Sequence, residues 1–422
     1  MQLDPAWLQQ QGEDAMLLHF TDTCFSSDLP DRIGIAVSGG GDSMAMLHLF
    51  ARWSAQTGHP IAAVTVDHGL RPESRAEADM VAAQCSALGI SHQILTWQKP
   101  EGSGNLAAAA RNGRYGLMAE WADENGIGGI ALGHTLDDSA ENYLMRLGRA
   151  SGIDGLATMK SRFVRDGITW CRPLWQQERA ELRAYLRRHH VAWVEDPSND
   201  DPKYMRTKAR AILPKLKELG IDAQSLHHTA FALRQAKSAL VHYTSLEAQK
   251  HVTQDGGDLL IPRRFRPPIP ADIERRLTAA ALQWVSSSPY PPRKIFAGML
   301  CHEMGSQPQF TSGGCLIMAQ QDHFRITREY NAVKDVVTTS DVVWDARWQL
   351  DGPHAVDLKI RALGEKLAEV PDWRKTGIPR RSLMASPAVW RGKTLIAAPV
   401  AGYNHGWTAQ IVADFGSFLL SH

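Results

Sequence analysis

The stretch Ile33-Gly34-Ile35-Ala36-Val37-Ser38-Gly39-Gly40-Gly41-Asp42-Ser43-Met44 constrains this chain more than any other. Ile33–Val37 has the character of a buried strand, three glycines open a loop, and an apolar-periodic helix begins near Asp42. Glycines let backbone N–H groups converge on one point and let an anion approach closely, while the positive end of the following helix adds its field there. The pattern is a phosphate cradle. It lacks the Gly-Lys-Ser/Thr of a Walker loop and the deeper third glycine of a dinucleotide fingerprint. The bland alternative is a glycine-rich turn with no ligand.

Ser38-Gly39-Gly40-Gly41-Asp42-Ser43 resembles the PP-loop of the N-type ATP pyrophosphatases, which split ATP into AMP and pyrophosphate to activate a carbonyl oxygen as an adenylate. The resemblance implies that the backbone of Gly39–Ser43, with the Ser38 and Ser43 hydroxyls, meets the phosphates of ATP. Asp42 then suits Mg²⁺, which takes one or two carboxylates besides phosphate oxygens, although the same residue suits a helix N-cap.

The 422 residues are enough for two or three domains. No apolar run is long enough to span a bilayer and residues 1–31 lack a signal-peptide pattern, so a cytoplasmic protein is expected. Cys24, Cys85, Cys171, Cys301 and Cys315 are widely spaced with no Cys-x-x-Cys pair, so neither a disulfide framework nor a zinc or iron–sulfur site is indicated. The net charge of +1 conceals an asymmetry. Residues 1–159 carry 9 Lys/Arg against 19 Asp/Glu, a net of −10, and residues 160–217 carry 14 against 7, a net of +7. A basic stretch behind an acidic nucleotide-binding half points to a polyanionic partner, or to a set of solvated helix faces.

Strands expected at 33–37, 61–66, 91–97 and 128–132 alternate with helices of ten or more residues, which indicates parallel pairing and a doubly wound α/β sheet, Rossmann-like, of the PP-loop type. From about residue 150 the rhythm changes. A basic helix is expected over 176–190 and a second basic run follows at 203–217, then one long helix or two shorter ones over 218–250, and a hairpin over 313–330. The chain is thus divided into a catalytic domain at 1–217, a mainly helical domain at 218–330 and a small C-terminal α/β segment at 331–422.

Several further motifs follow the glycine loop in order. They are Val66-Asp67-His68-Gly69-Leu70-Arg71, Asn105 with Arg111 and Arg114-Tyr115, Gly133-His134 with Asp137-Asp138 and Glu141, Arg172-Pro173-Leu174, and Asp196-Pro197-Ser198-Asn199. Together they resemble the tRNA(Ile)-lysidine synthase family over roughly residues 30–217. The resemblance implies a ligase that uses ATP and Mg²⁺ to adenylate C2 of the wobble cytidine, position 34, in an isoleucine tRNA with a CAU anticodon. Free lysine then displaces AMP to form lysidine. Asp137 and Asp138 stand at a strand-to-helix junction, where a carboxylate can hold the lysine ammonium, accept its proton or join Asp42 in binding metal; the residue types leave these open. His134 is a candidate for nucleotide or substrate contact. Arg111 and Arg114, three apart on one helix face, suit a phosphate or the lysine carboxylate. Asp67 and His68 either bound the nucleotide pocket or form a turn. Arg183, Arg187, Tyr204, Arg206, Lys208 and Arg210 are the expected tRNA contacts.

The chain departs from the family pattern at Ala107, Ser139, Asn142, Ala150 and Thr207, and none of these removes a group the chemistry requires. The rival readings are a tRNA thiolase, another PP-loop amide-forming ligase, and an RNA-binding module with an inactive ATP site. The sequence gives no oligomeric state.

Overall fold

The computed structural model describes residues 5–25, 27–69, 72–98, 106–157, 159–195, 201, 203–292, 295, 298–305 and 307–421. Leu70, Arg71, Asn105 and Asp196–Asn199 of the sequence motifs lie outside the described residues, as does the side chain of Ala107. The chain divides into two compact units, Met1–Lys237 and Ser238–His422. No helix among the described residues is long and apolar enough to cross a membrane.

The first unit starts with α1 (Pro5–Thr23) and then alternates β1 (Ile33–Ala36), α2 (Gly41–Thr57), β2 (Ile61–Asp67), α3 (Ser74–Ala87), β3 (Ser91–Thr96), α4 (Leu106–Glu124), β4 (Gly129–Leu132) and α5 (Leu136–Leu147). After the short α6 (Ile153–Leu156) come β5 (Arg162–Arg165), β6 (Ile168–Cys171), α7 (Arg179–Arg188), α8 (Met205–Leu216) and a single long α9 (Ala223–His251). The sheet order is β3-β2-β1-β4-β6-β5. Strands β3, β2, β1, β4 and β6 run parallel, and β5 is an antiparallel edge. Strand order reverses between β1 and β4, and open α/β sheets take ligands at the carboxyl ends of strands flanking such a switch. Here those ends run into the glycine loop and into Gly133-His134.

Alternation along β1 builds both faces of the core. Ile33 and Ile35 pack with Met44, Leu47 and Phe50 of α2. On the opposite face Tyr115, Met118 and Trp121 of α4 cover Ile130 and Trp170. Gly34 has to be glycine there, since a Cβ would stand 2.9 Å from the Trp121 ring. Asp14 of α1 accepts from Arg52 of α2 at 2.8 Å and from Arg188 of α7 at 3.0 Å, which fixes α7 beside the glycine-loop helix. On the other flank Ala140 and Tyr143 of α5 pack against Leu226 and Ala230 of α9.

The second unit contains a five-stranded antiparallel sheet of order β7-β8-β11-β10-β9, formed by β7 (Thr253–Asp255), β8 (Asp258–Pro262), β9 (Gln309–Ser312), β10 (Cys315–Ala319) and β11 (His323–Arg328). Helix α10 (Ala271–Ser286) packs its apolar face, Leu277, Ala281 and Val285, into the same core as Leu259 and Ile317. Residues 218–330 therefore hold the helices expected of them and also a sheet of which only the 313–330 hairpin was legible. Leu259-Leu260-Ile261 is an apolar run too short for periodicity to separate strand from helix. The last ninety or so residues add four-stranded and two-stranded antiparallel sheets.

Candidate active site

Gly39 adopts φ +85°, a left-handed conformation that glycine supplies without strain, and α2 begins two residues later. The loop is knitted by its own hydroxyls. The Ser38 backbone N–H donates to Ser43 Oγ at 3.1 Å, Ser43 Oγ donates to the Gly40 carbonyl at 2.9 Å, and the two hydroxyls are 3.1 Å apart. One flank is closed by Val194, whose N–H donates to the Gly39 carbonyl at 2.9 Å. The other flank is closed by Gly133, where a Cβ would lie 3.0 Å from Ser43 Cα.

Arg179, the first residue of α7, gathers four acidic side chains. Its Nε donates to Asp42 Oδ2 at 3.1 Å, Nη1 to Glu141 Oε1 at 3.1 Å and Nη2 to Asp138 Oδ1 at 3.2 Å, while its backbone N–H donates to Asp137 Oδ2 at 2.7 Å. Asp138 also caps α5, accepting at Oδ2 from the Thr135 N–H at 2.9 Å. Thus Asp138 both caps α5 and reaches the Arg179 guanidinium, and Asp137 anchors the start of α7. Glu141 is wholly buried one turn further along α5 and accepts from Arg210 Nε at 2.8 Å. Arg206 Nε stands 3.0 Å from Glu141 Oε2 without aligning its N–H, so this oxygen keeps its acceptor capacity. Burial pushes the Asp42 carboxyl up to about 6, with Arg179 only partly opposing. Burial also acts to raise Asp138, but Arg206, His134 and Arg179 together hold it below the usual carboxylate range.

His134 accepts at Nδ1 from Arg172 Nε at 3.2 Å. Arginine cannot accept, so the proton of the neutral ring is on Nε2. Burial pushes this imidazole down to about 3, against the attraction of Asp138, which makes His134 a neutral donor. Asp67 Oδ1 accepts from Ser74 Oγ at 2.7 Å and from the Gly69 N–H at 2.9 Å, the turn-forming arrangement. His68 lies edge-on to Trp97, and burial, then the charge of Arg114, lowers its pKa. Arg111 is exposed and Arg114 half-buried, although both guanidinium groups lie over Tyr115, at 5.6 and 5.9 Å.

Asp42 Oδ1, Glu141 Oε2, His68 Nδ1, Arg114 Nε and the Tyr115 hydroxyl are buried without a hydrogen-bond partner among the described residues. Buried polar atoms are nearly always paired, so the free oxygens of Asp42 and Glu141, both on the Arg179 cluster, are open to a polar ligand. No cluster of three or more His, Cys, Asp or Glu able to hold a metal occurs among the described residues. A cation here would rely on Asp42 Oδ1, on the Asp137 carboxylate and on oxygens of its ligand.

The expected tRNA contacts separate into two groups. Arg187, Tyr204 and Lys208 are exposed. Arg206, itself exposed, and Arg210 reach the acidic cluster, and Arg183 pairs with Glu195 Oε2 at 3.0 Å beside Gly41. The sequence places Arg179 only among the basic residues of 179–188 expected at the RNA, and gives Glu141 no role beyond its motif. Glu141 could have been given one, because it follows Asp138 by three positions and Asp137 by four, hence on one helix face. Cys171 Sγ donates to the Cys24 carbonyl at 3.0 Å, a proximity that linear spacing conceals.

A glycine loop at the switch point of a parallel sheet, faced by a buried cluster of carboxylates and guanidinium groups, defines an ATP-binding enzyme of the PP-loop class; residues 16–216 match the family described as PP-loop domain. Over 407 residues, 94% of this chain and 96% of the relative, the sequence is 46% identical to the tRNA(Ile)-lysidine synthase of Ruegeria pomeroyi. It is 33% identical over 390 residues to that of Wolbachia pipientis wMel, covering 89% of this chain and 90% of the relative. Among solved structures, the U34-tRNA thiolase NcsA from Methanococcus maripaludis with its 4Fe-4S cluster matches 55% of this chain and 80% of its own at 16% identity and a TM-score of 0.45. The chain belongs to the tRNA(Ile)-lysidine synthase family.

Proposed function

We propose that the protein uses ATP to adenylate the C2 oxygen of the wobble cytidine of an isoleucine tRNA with a CAU anticodon, and then transfers free lysine to C2 to form lysidine. The observation that carries this reading, beside family membership, is the Arg179 cluster. It joins the phosphate cradle, through Asp42, to two carboxylates suited to an ammonium, Asp138 and Glu141.

In the first step the C2 oxygen attacks the α-phosphorus and pyrophosphate leaves. In the second, the lysine amine attacks C2, AMP departs with the oxygen, and the amine loses a proton. Backbone N–H groups of Gly39–Ser43 and the α2 N-terminus hold the departing phosphates. The unpartnered Asp42 Oδ1 fits Mg²⁺, with Asp137 as the second carboxylate, and the ion would offset charge on pyrophosphate. Asp138, held ionised by its arginine neighbours, suits the lysine ammonium better than it suits keeping a proton. Glu141 Oε2 offers a second acceptor, and Arg111 and Arg114 match a phosphate or the lysine carboxylate. His134 supplies an Nε2 donor, and Asp67 and His68 border the nucleotide. Arg187, Tyr204 and Lys208 track the RNA backbone, and the parts at 218–330 and 331–422 extend the tRNA surface in the cytoplasm.

The test is incorporation of labelled lysine into a tRNA(Ile) transcript with a CAU anticodon, beside a transcript with another wobble base. Incorporation that requires both ATP and the wobble cytidine is expected. ATP split to AMP without lysine transfer would move the search to another nucleophile, and neither reaction would overturn the proposal.

A further inference from the structure

We propose that Phe231, on α9, is a stacking platform for an unpaired base of the RNA loop next to the reacting cytidine; this rests on the functional reading above. Helix α9 buries a stripe containing Leu226, Ala230 and Leu233 against α5, the helix that begins with Asp137 and Asp138. Phe231 follows Ala230 and is therefore turned about 100° off that stripe, leaving the residue 45% exposed.

Single exposed apolar side chains are ordinary. Phe231 differs in what stands behind it. The Arg234 guanidinium lies 5.4 Å from the Phe231 ring centroid and 5.1 Å from that of Trp175, and its Nη1 donates to the Met159 carbonyl at 2.8 Å. Trp175 in turn rests on His227 at 4.7 Å. The phenyl ring is thereby backed by a tethered cation between two aromatic side chains, an arrangement that adds cation–π attraction to a fixed π-face.

Two further observations point to RNA. From Ala223 to Lys237 the helix itself carries Arg234 and Lys237 and no Asp or Glu, and the carboxylate of Asp154 stands 3.9 Å from Lys237 Nζ at its far end. Trp175 follows Arg172 by three residues, which places their Cα atoms within about 11 Å, and Arg172 is bonded to His134 in the cleft. The chain of contacts from Phe231 through Arg234 and Trp175 thus leads back toward the residues of the cleft. Unpaired loop bases that are splayed out are commonly read by stacking on aromatic rings and guanidinium planes, in a sequence-tolerant way.

The experiment measures binding of the tRNA(Ile) transcript to the full chain, to Phe231→Leu and to Phe231→Trp over a range of salt, with 2-aminopurine beside the wobble position as a stacking reporter. Phe231→Leu should weaken binding by about 5- to 100-fold with the salt slope unchanged, and should lose the quenching of 2-aminopurine seen with the unaltered chain. Phe231→Trp should restore both. Equal binding and equal quenching by Phe231→Leu would remove the platform while leaving the functional reading intact, and a reduced salt slope would make the contact electrostatic and overturn stacking. Failure of the unaltered chain to bind the transcript would overturn the functional reading and the platform with it.

Discussion

Arg179 Nε lies 3.1 Å from Asp42 Oδ2 although the two residues are 137 apart in sequence, and this contact fastens α7 to the glycine loop. The same guanidinium group reaches Asp138 and Glu141, so one side chain sets the spacing between the phosphate cradle and the carboxylates of α5. Arg179→Ala should therefore act on folding and chemistry together. Glu141 keeps Arg210 and Asp138 keeps Arg206, but leaving the Asp42 carboxylate without its ion-pair partner costs about 3–5 kcal/mol, to be measured by urea unfolding, and pyrophosphate release from ATP should fall by at least about 100-fold.

Asp42 separates stability from activity. Burial pushes its carboxyl up to about 6 in the folded chain, above the usual carboxylate range, so the folded chain binds the proton more tightly than the unfolded one. Stability of the ligand-free protein should fall as pH rises through this window and stay lower above about 6. Asp42→Asn, which mimics the protonated form, should stabilise the ligand-free protein at pH 8 by about 1–3 kcal/mol in thermal unfolding while abolishing ATP cleavage. Lower stability of the variant at pH 8 would contradict this electrostatic account.

His134 is neutral and fixed as an Nε2 donor, so it contributes no ionisation between about pH 5 and 9. His134→Gln, which keeps an N–H donor, should retain more adenylation activity than His134→Ala, by about tenfold. The acid limb of the pH–rate profile should be the same in both. Disappearance of that limb in either variant would assign it to the imidazole.

The basic stretch after residue 200 should divide functionally. Lys208→Ala removes an exposed charge and should reduce the salt slope of tRNA binding by about one while leaving ATP affinity alone. Arg206→Ala and Arg210→Ala withdraw partners from the fully buried Glu141 and should lower stability and lysine transfer. Identical behaviour of all three variants would refute the division.

That contrast marks the limit of legibility in the sequence. The parallel sheet, the cradle and the order of the motifs could be read because each is written in contiguous residues, as strand–glycine–helix or as adjacent Asp137-Asp138. Arg206 and Arg210 read as RNA contacts because local charge density says nothing about a carboxylate on a distant helix. Glu141 resolves their orientation only once α8 is folded against α5. Arg111 and Arg114 share a helix face by spacing, yet they differ in exposure because the neighbouring elements cover that face unevenly. The antiparallel sheet of the second unit was hidden for another reason: its strands are a few residues long, too short to display a period.

The absence of a side chain at Gly133 lets its backbone settle against Ser43, where even a methyl group would meet the Cα at 3.0 Å. Two loops packed so closely have no slack in which to shift against each other. The backbone around the cradle should accordingly superimpose in structures solved with and without nucleotide, with the difference confined to guanidinium positions.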